Sequence, residues 1–396
     1  MDYPEVVIVS AARTPIGRFQ GTLSTIPAVE LGGIAIKAAV ERAGIDGALV
    51  DEVLMGNVVQ AGEGQAPARQ AGIGGGLPVS VGATTINKIC GSGLKAVMLA
   101  SQAIRSGDGD VFVAGGMESM NLAPYYLLKA RTGYRMGNAE MIDGMIQDGL
   151  WCAFENHHMG SSAEWIAREY GVSRQDQDEL AVRSHQRALA AMDAGRFKDE
   201  IVPVPIAQRK GPPLLFDTDE TPRRETSLEA LARLKPAFEA GGTVTAGNAP
   251  PISDGAAALV VMSASKAAEL GLRPLARVTS YAQAAVKPLE IFTAPIFAVR
   301  RLMDRLGVDI DYFDLFEVNE AFAAQTIADG RALGMDWDKV NVNGGAVALG
   351  HPIGCSGARV LVTLLYALKH HNLKTGLATL CLGGGEGVAL SVEMLI

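Results

Sequence analysis

Apolar positions along this chain gather into strand-length runs and longer stretches with helical spacing, punctuated by glycine. Val6–Ser10 reads as a buried strand, and the apolar positions of Ala28–Ala43 recur with the period of a helix that stops at Gly44. Another short apolar run lies within Asp51–Val59. Beyond Cys90, the residues Leu94, Val97, Met98, Ala100 and Ile104 share one helical face, which sets Cys90 at or just before a helix N-terminus. Asp110–Ala114 predicts a strand leading into Gly115-Gly116-Met117-Glu118.

The C-terminal part repeats this grammar. Cys355–Leu368 is a second glycine-started apolar helix, and Gly376–Leu382 is a strand running into Gly383-Gly384-Gly385-Glu386. A duplicated α/β half is the natural reading. Between the halves, from about 121 to 249, the chain is richer in charge, especially over Arg168–Arg196, and carries Pro203, Pro205, Pro212, Pro213 and Pro222. Ser173–Met192 has the spacing of an amphipathic surface helix. So long an excursion from an α/β core predicts a loop domain covering a substrate site. The expected division is 1–120 plus about 250–270 for the first half, 121–249 for the loop domain and 271–396 for the second half.

Composition narrows the function classes. With 396 residues, 48% hydrophobic and 20% charged, the chain is a well-buried globular protein of more than one domain. A net charge of −8 without a basic run argues against nucleic acid as a partner. No apolar stretch reaches the roughly 18 residues needed to cross a bilayer. Neither Met1–Val9 nor Glu393–Ile396 carries a leader or targeting pattern. Four cysteines are too sparse for a disulfide scaffold, and their spacing does not suggest a metal site, so a cytoplasmic protein is expected.

Three glycine-rich turns hold the candidate chemistry. Asn87-Lys-Ile-Cys90-Gly-Ser-Gly93 puts a thiol where helix amides would favour a thiolate. Gly350-His351-Pro352 supplies a base for that thiol. Cys381, opening a turn at a strand end, would point into a cleft and move a proton, with the Gly383 amide near any oxyanion. Glu317-Val-Asn319-Glu320-Ala-Phe322 offers two carboxylates and an amide. Asn319 suits either an oxyanion or a helix cap, and spacing does not separate the two. Cys152 and Cys355 suggest no role.

Taken together, Asn87–Gly93, Asn319-Glu-Ala-Phe322, Gly350-His-Pro352 and Cys381-Leu-Gly-Gly-Gly385 resemble the signature blocks of the thiolases, in order along nearly the whole chain. Supporting stretches are Ala11–Phe19, Gly115–Met120, His158-Met-Gly160 and Gly242–Asn248. The resemblance implies two duplicated α/β halves in five layers, α-β-α-β-α, with an inserted loop domain. It implies Cys90 as acyl carrier activated by His351, and Cys381 as the acid/base acting on a second acyl-CoA. Asn319 would anchor a water that forms one oxyanion hole with His351, and the amides of Cys90 and Gly383 would form the other. Arg223 would face the coenzyme A nucleotide, in a stretch made basic by Arg209, Lys210, Arg224, Arg233 and Lys235. His158 and Met159 would line the acyl pocket, Leu234 and Phe238 would meet the coenzyme, and Pro250 and Phe322 would also belong to the substrate and coenzyme site. Coenzyme A thioesters would be substrates, with no further cofactor and no metal, in a homodimer or homotetramer.

One departure concerns Asn248-Ala-Pro250-Pro251-Ile-Ser253-Asp-Gly255, where many members carry a serine at the position of Pro250. Proline offers neither hydroxyl nor amide hydrogen, so one polar contact to the pantetheine arm is expected to be missing. The pattern resembles the short-chain acetyl-CoA acetyltransferase branch, with a broader-chain 3-ketoacyl-CoA thiolase of fatty-acid metabolism as the alternative. A decarboxylating ketoacyl synthase would use two histidines, or histidine and asparagine, in place of Cys381. A non-catalytic acyl-CoA binder would have lost a catalytic residue. A nucleotide-binding dehydrogenase would show Gly-x-Gly-x-x-Gly after the first strand, which is absent.

Overall fold

The computed structural model describes residues 3–395, so the extreme ends of the two terminal segments read above (Met1, Asp2 and Ile396) lie outside it. In the first half the main elements are β1 (Val6–Arg13), α1 (Ala28–Ala43), β2 (Glu52–Gly56), β3 (Gly82–Ile86), α2 (Ser92–Ser106) and β4 (Val111–Ser119). The excursion then contributes α3 (Met159–Glu169) and α4 (Arg174–Asp193), and β5 (Ser253–Ser263) returns to the sheet. The second half comprises β6 (Ala276–Ala285), α5 (Ala294–Leu306), β7 (Leu315–Val318), α6 (Ala323–Leu333), the single turn α7 (Ala346–Leu349), α8 (Ile353–His371), β8 (Thr375–Leu382) and β9 (Glu386–Met394).

Both halves share one strand order. The path through the sheet is β7-β8-β9-β6-β1-β5-β4-β2-β3. Numbered within its own half, the first sheet runs 3-2-4-5-1. The second runs the same way once the parallel bridge between Phe316 and Val340 is taken as its missing third strand. Two residue pairs, Val7 with Arg277 and Ile8 with Ala276, join the first strands of the halves, so both belong to one hydrogen-bonded sheet.

Period-two alternation separates the layers. Val6 and Ile8 of β1, and Phe112 and Ala114 of β4, face a central core shared with α2, α8, β8 and β9. Val7, Val9, Val111 and Val113 face the opposite way, onto α1. On the other side of the molecule, α5 covers β8 and β9 through Ile296, Val299 and Leu302. The five layers are therefore α1, the first sheet, α2 with α8, the second sheet, and α5. The two central helices touch backbone to backbone. A Cβ on Gly93 would lie 2.5 Å from the Ala358 nitrogen, and one on Gly357 would lie 2.3 Å from the Leu94 nitrogen. Glycine on both sides lets the helix starts, and the turns that precede them, meet.

Element ends follow local chemistry. Gly44 closes α1 at φ 69°. Ser173 opens α4 with a reciprocal capping box to Asp176. That helix lies at the surface with one face buried, as its amphipathic pattern predicts, but the buried face carries the polar Gln177, Asp178, Ser184 and His185 along with Leu180 and Ala181. Its polar inner face has partners in the second half and in the excursion itself. Arg13, wholly buried, bonds Glu200 at 2.6 Å and Asp219 at 2.7 and 2.8 Å, which ties the excursion to β1.

Candidate active site

Cys90 stands one residue before Gly91, the N-cap of α2. Ile89 adopts φ 46°, a left-handed conformation that is costly for a β-branched residue. The Ser92 hydroxyl braces this turn, donating to the Ile89 carbonyl at 2.7 Å and accepting from the Lys88 amide at 2.8 Å. The turn after β8 packs directly against it. A Cβ on Gly91 would fall 1.8 Å from Leu382, and Lys88 reaches Glu386 at 2.5 Å. The backbone amides of Gly383 and Cys90 favour charge on the Cys90 sulfur, and charge on either thiol disfavours charge on the other.

These thiols differ from the sequence expectation in one respect. Burial pushes the Cys90 thiol up to about 12, and the Gly383 and Cys90 amides only partly offset it. Burial, then Cys90, holds Cys381 well above the ordinary thiol range. Cys90 keeps partial solvent exposure, and the direction of the shift favours the thiol over the thiolate at rest. Cys381 is 1% exposed, in a cluster with Phe322 and Val347 rather than on an open wall.

His351 is buried and neutral, its imidazole lowered to about 3 by burial and by the Arg359 charge. The Ser356 hydroxyl donates to the Pro352 carbonyl at 2.8 Å, so its oxygen is free to accept from Nδ1 of His351 at 2.5 Å. That leaves the lone pair on Nε2, 3.5 Å from the Asn319 side-chain nitrogen. Asn319 is no helix cap: α6 begins after Phe322 without a side-chain cap, and Asn319 Oδ1 is buried without a partner. Glu317, the first carboxylate of that motif, is raised to about 8 by burial and pairs with Arg359 at 3.5 Å.

A cleft of about 620 Å³ opens beside this cluster, lined by Val58, Ile89, Cys152, Phe154, Met159 and Gly383 among others. A second hollow of about 550 Å³, within the 128–142 arm, holds none of the catalytic candidates. His158 caps α3 by accepting the Gly160 amide at 3.0 Å and stacks on Phe238 at 4.7 Å. Phe238 meets Phe322 edge-on at 6.0 Å, so His158, Met159, Phe238 and Phe322 come together. Leu234 and Pro250 are partly exposed on the same excursion, Leu234 against Gly247. Arg223 is exposed, and its backbone amide donates to buried His185 at 3.1 Å.

Sequence reasoning missed Ser356 and Glu118. Glu118 accepts from the amides of Val58, Val59 and Gly354 at 2.8–3.1 Å and from the Asn57 side chain at 3.0 Å, fastening the start of α8 to the wall near Cys90. Its only sequence signal was its place in the Gly-Gly-Met-Glu turn.

Comparison with known proteins is concordant over the whole chain. The thiolase N-terminal domain family matches residues 6–265 and the thiolase C-terminal domain family matches 272–394. An acetyl-CoA acetyltransferase of Pseudomonas aeruginosa is 58% identical over 388 residues, covering 98% of this chain and 99% of that protein. One of Cupriavidus necator is 57% identical over 389 residues, with the same coverage. The crystal structure of the Bacillus anthracis acetyl-CoA acetyltransferase superposes with a TM-score of 0.97 at 44% identity, covering 99% of each chain. Paired α/β halves, meeting glycine turns and full-length similarity agree: the chain belongs to the thiolase family.

Proposed function

We propose that this protein is an acetyl-CoA C-acetyltransferase, condensing two acetyl-CoA into acetoacetyl-CoA and free coenzyme A, and catalysing the reverse thiolysis. The observation that carries the reading is the packing of the Cys90 turn directly against the turn that follows Cys381, Gly91 on Leu382 and Gly383 on Ile89, beside a cleft of about 620 Å³. Near-full-length identity of 57–58% to acetyl-CoA acetyltransferases supports the substrate.

Cys90 attacks the first thioester while its proton passes to Nε2 of His351, and the oxyanion lies against the Cys90 and Gly383 amides. Coenzyme A leaves as a thiolate and takes the proton of Cys381. Cys381, now a thiolate, removes an α-proton from the second acetyl-CoA. The enolate oxygen is held by protonated His351 and by a water for which the unpartnered Asn319 Oδ1 is an acceptor. Attack on the acetyl group releases Cys90, which recovers its proton from His351.

Arg223, in its basic surroundings, is assigned to the coenzyme phosphates. His158, Met159 and Phe322 are assigned to the acyl end, and Leu234, Phe238 and Pro250 to the pantetheine arm. In this reading the 121–249 excursion is the coenzyme-covering loop domain, with no cofactor beyond the thioesters. The proposal includes a cytoplasmic homodimer or homotetramer, favoured by free cysteines and by the exposed apolar side chains of Val79, Leu128 and Met136.

The test is thiolysis of acetoacetyl-CoA by coenzyme A under reducing conditions, followed by loss of the 3-ketothioester absorbance. Turnover is expected, and its absence in the wild type sinks the reading. Cys90→Ala should not be acylated. Cys381→Ala should acylate but not condense, and equal loss of both steps contradicts the assigned roles.

A further inference from the structure

Two carboxylates flank Asn319 in the sequence, and the reaction uses neither. Glu317 belongs to a buried ion pair, whereas Glu320 sits in a knot of hydrogen bonds of a different kind. Its carboxylate is 3% exposed and accepts from the Ser184 hydroxyl at 2.7 Å, the Asn341 side-chain amide at 3.0 Å and the Val347 backbone amide at 3.0 Å. The Ser184 oxygen in turn accepts the Gly345 amide at 3.0 Å. Asn341 also clamps Val318, donating to its carbonyl at 2.9 Å and accepting its amide at 2.8 Å.

Asn319 therefore has both chain neighbours fixed to the segment 341–347, and that segment leads through α7 and Gly350 into His351. Because Glu320 follows Asn319 directly and Val347 lies four residues before His351, across the end of α7 and the Gly350 turn, their bond is a strut alongside the Asn319–His351 contact. A third leg comes from the excursion: Ser184 lies on α4, and the next residue, His185, holds the Arg223 amide. We infer that Glu320, with Ser184, is a positioning device that sets Asn319 against His351 and anchors both to α4. This rests on the roles proposed for Asn319 and His351. The physical reason is that misplacing a reacting group by about 1 Å costs up to roughly a hundredfold in rate, while substrate binding, made by other residues, is spared.

The experiment compares wild type, Glu320→Gln and Ser184→Ala. Glutamine keeps the shape but cannot accept from all three donors, and alanine removes only the α4 leg. Steady-state thiolysis gives kcat and KM, single-turnover labelling gives the rate of Cys90 acetylation, and thermal melts report the folded fraction. Expected is a kcat lower by roughly ten- to a hundredfold in Glu320→Gln and five- to twentyfold in Ser184→Ala, with acetylation slowed in step and KM within twofold. A kcat within twofold of wild type, a KM rising with the loss of kcat, or acetylation at the wild-type rate overturns the inference. If Glu320→Gln does not fold, Ser184→Ala decides alone. An inactive wild type would instead overturn the proposed function, so the two failures are distinct.

Discussion

At neutral pH the resting enzyme is expected to hold Cys90 as a thiol and His351 as a neutral imidazole, not as an ion pair. The two groups sit far apart in proton affinity, near 12 for the thiol and near 3 for the imidazole. Moving the proton between them in the free enzyme costs on the order of 10 kcal/mol. Attraction between the resulting charges, about 4 kcal/mol at contact with an effective dielectric of about 20, does not recover it. Proton transfer therefore accompanies attack on the thioester, when the oxyanion forms against the two amides. The assay is the ultraviolet thiolate band, recorded as a difference between wild type and Cys90→Ala from pH 5 to 9. No thiolate signal from Cys90 should develop in that range. A difference band with a midpoint below pH 9 would refute the argument and restore a helix-stabilised thiolate.

Three further outcomes follow. Gly93→Ala drives a Cβ to 2.5 Å from the Ala358 backbone nitrogen and should cost at least about 1–3 kcal/mol, seen as a lower Tm; a melting curve unchanged within error contradicts the packing described. Asp329 is wholly buried, accepts among the described residues only from the Gln325 amide, and is held well above the usual carboxylate range by burial. Folding therefore favours its protonated form, and stability contributed at low pH is lost as pH rises above the unfolded value near 3.8. Asp329→Asn should raise Tm at pH 8 more than at pH 5, and equal shifts at both would argue against this. Pro250→Ser should lower the KM for acetyl-CoA by supplying the hydroxyl and amide hydrogen that proline lacks, so an unchanged KM counts against a missing contact.

Much of this was legible where local pattern and tertiary role coincide. Ala28–Ala43 is helical to the residue, stopped by Gly44; Cys90 lies between a strand and a helix, and Cys381 at the end of β8 before the glycine turn, as the pattern predicts. The candidate catalytic residues were found through motif resemblance, and the structure brings Asn319 to His351 and Gly383 to Cys90. What was not legible depends on distant partners. That Gln177, Asp178, Ser184 and His185 lie on the inner face of α4 was not legible, because periodicity cannot tell a buried hydrogen-bonded side chain from a wet one. Burial that outweighs helix amides at Cys90 is likewise a property of the assembled layers.

The placement of β5 has a consequence for how the protein is made. β5 lies between β1 and β4 and pairs with both, yet it is synthesised after the entire 121–249 excursion. While the chain emerges from the ribosome, β1 and β4 present open edges that nothing translated so far can close. The first sheet is completed only when residues 253–263 arrive, and β6 then extends it through β1. Vectorial folding of this protein is thus gated by one late strand. A chain truncated before Ser253 should remain a chaperone client, however intact its Cys90 turn.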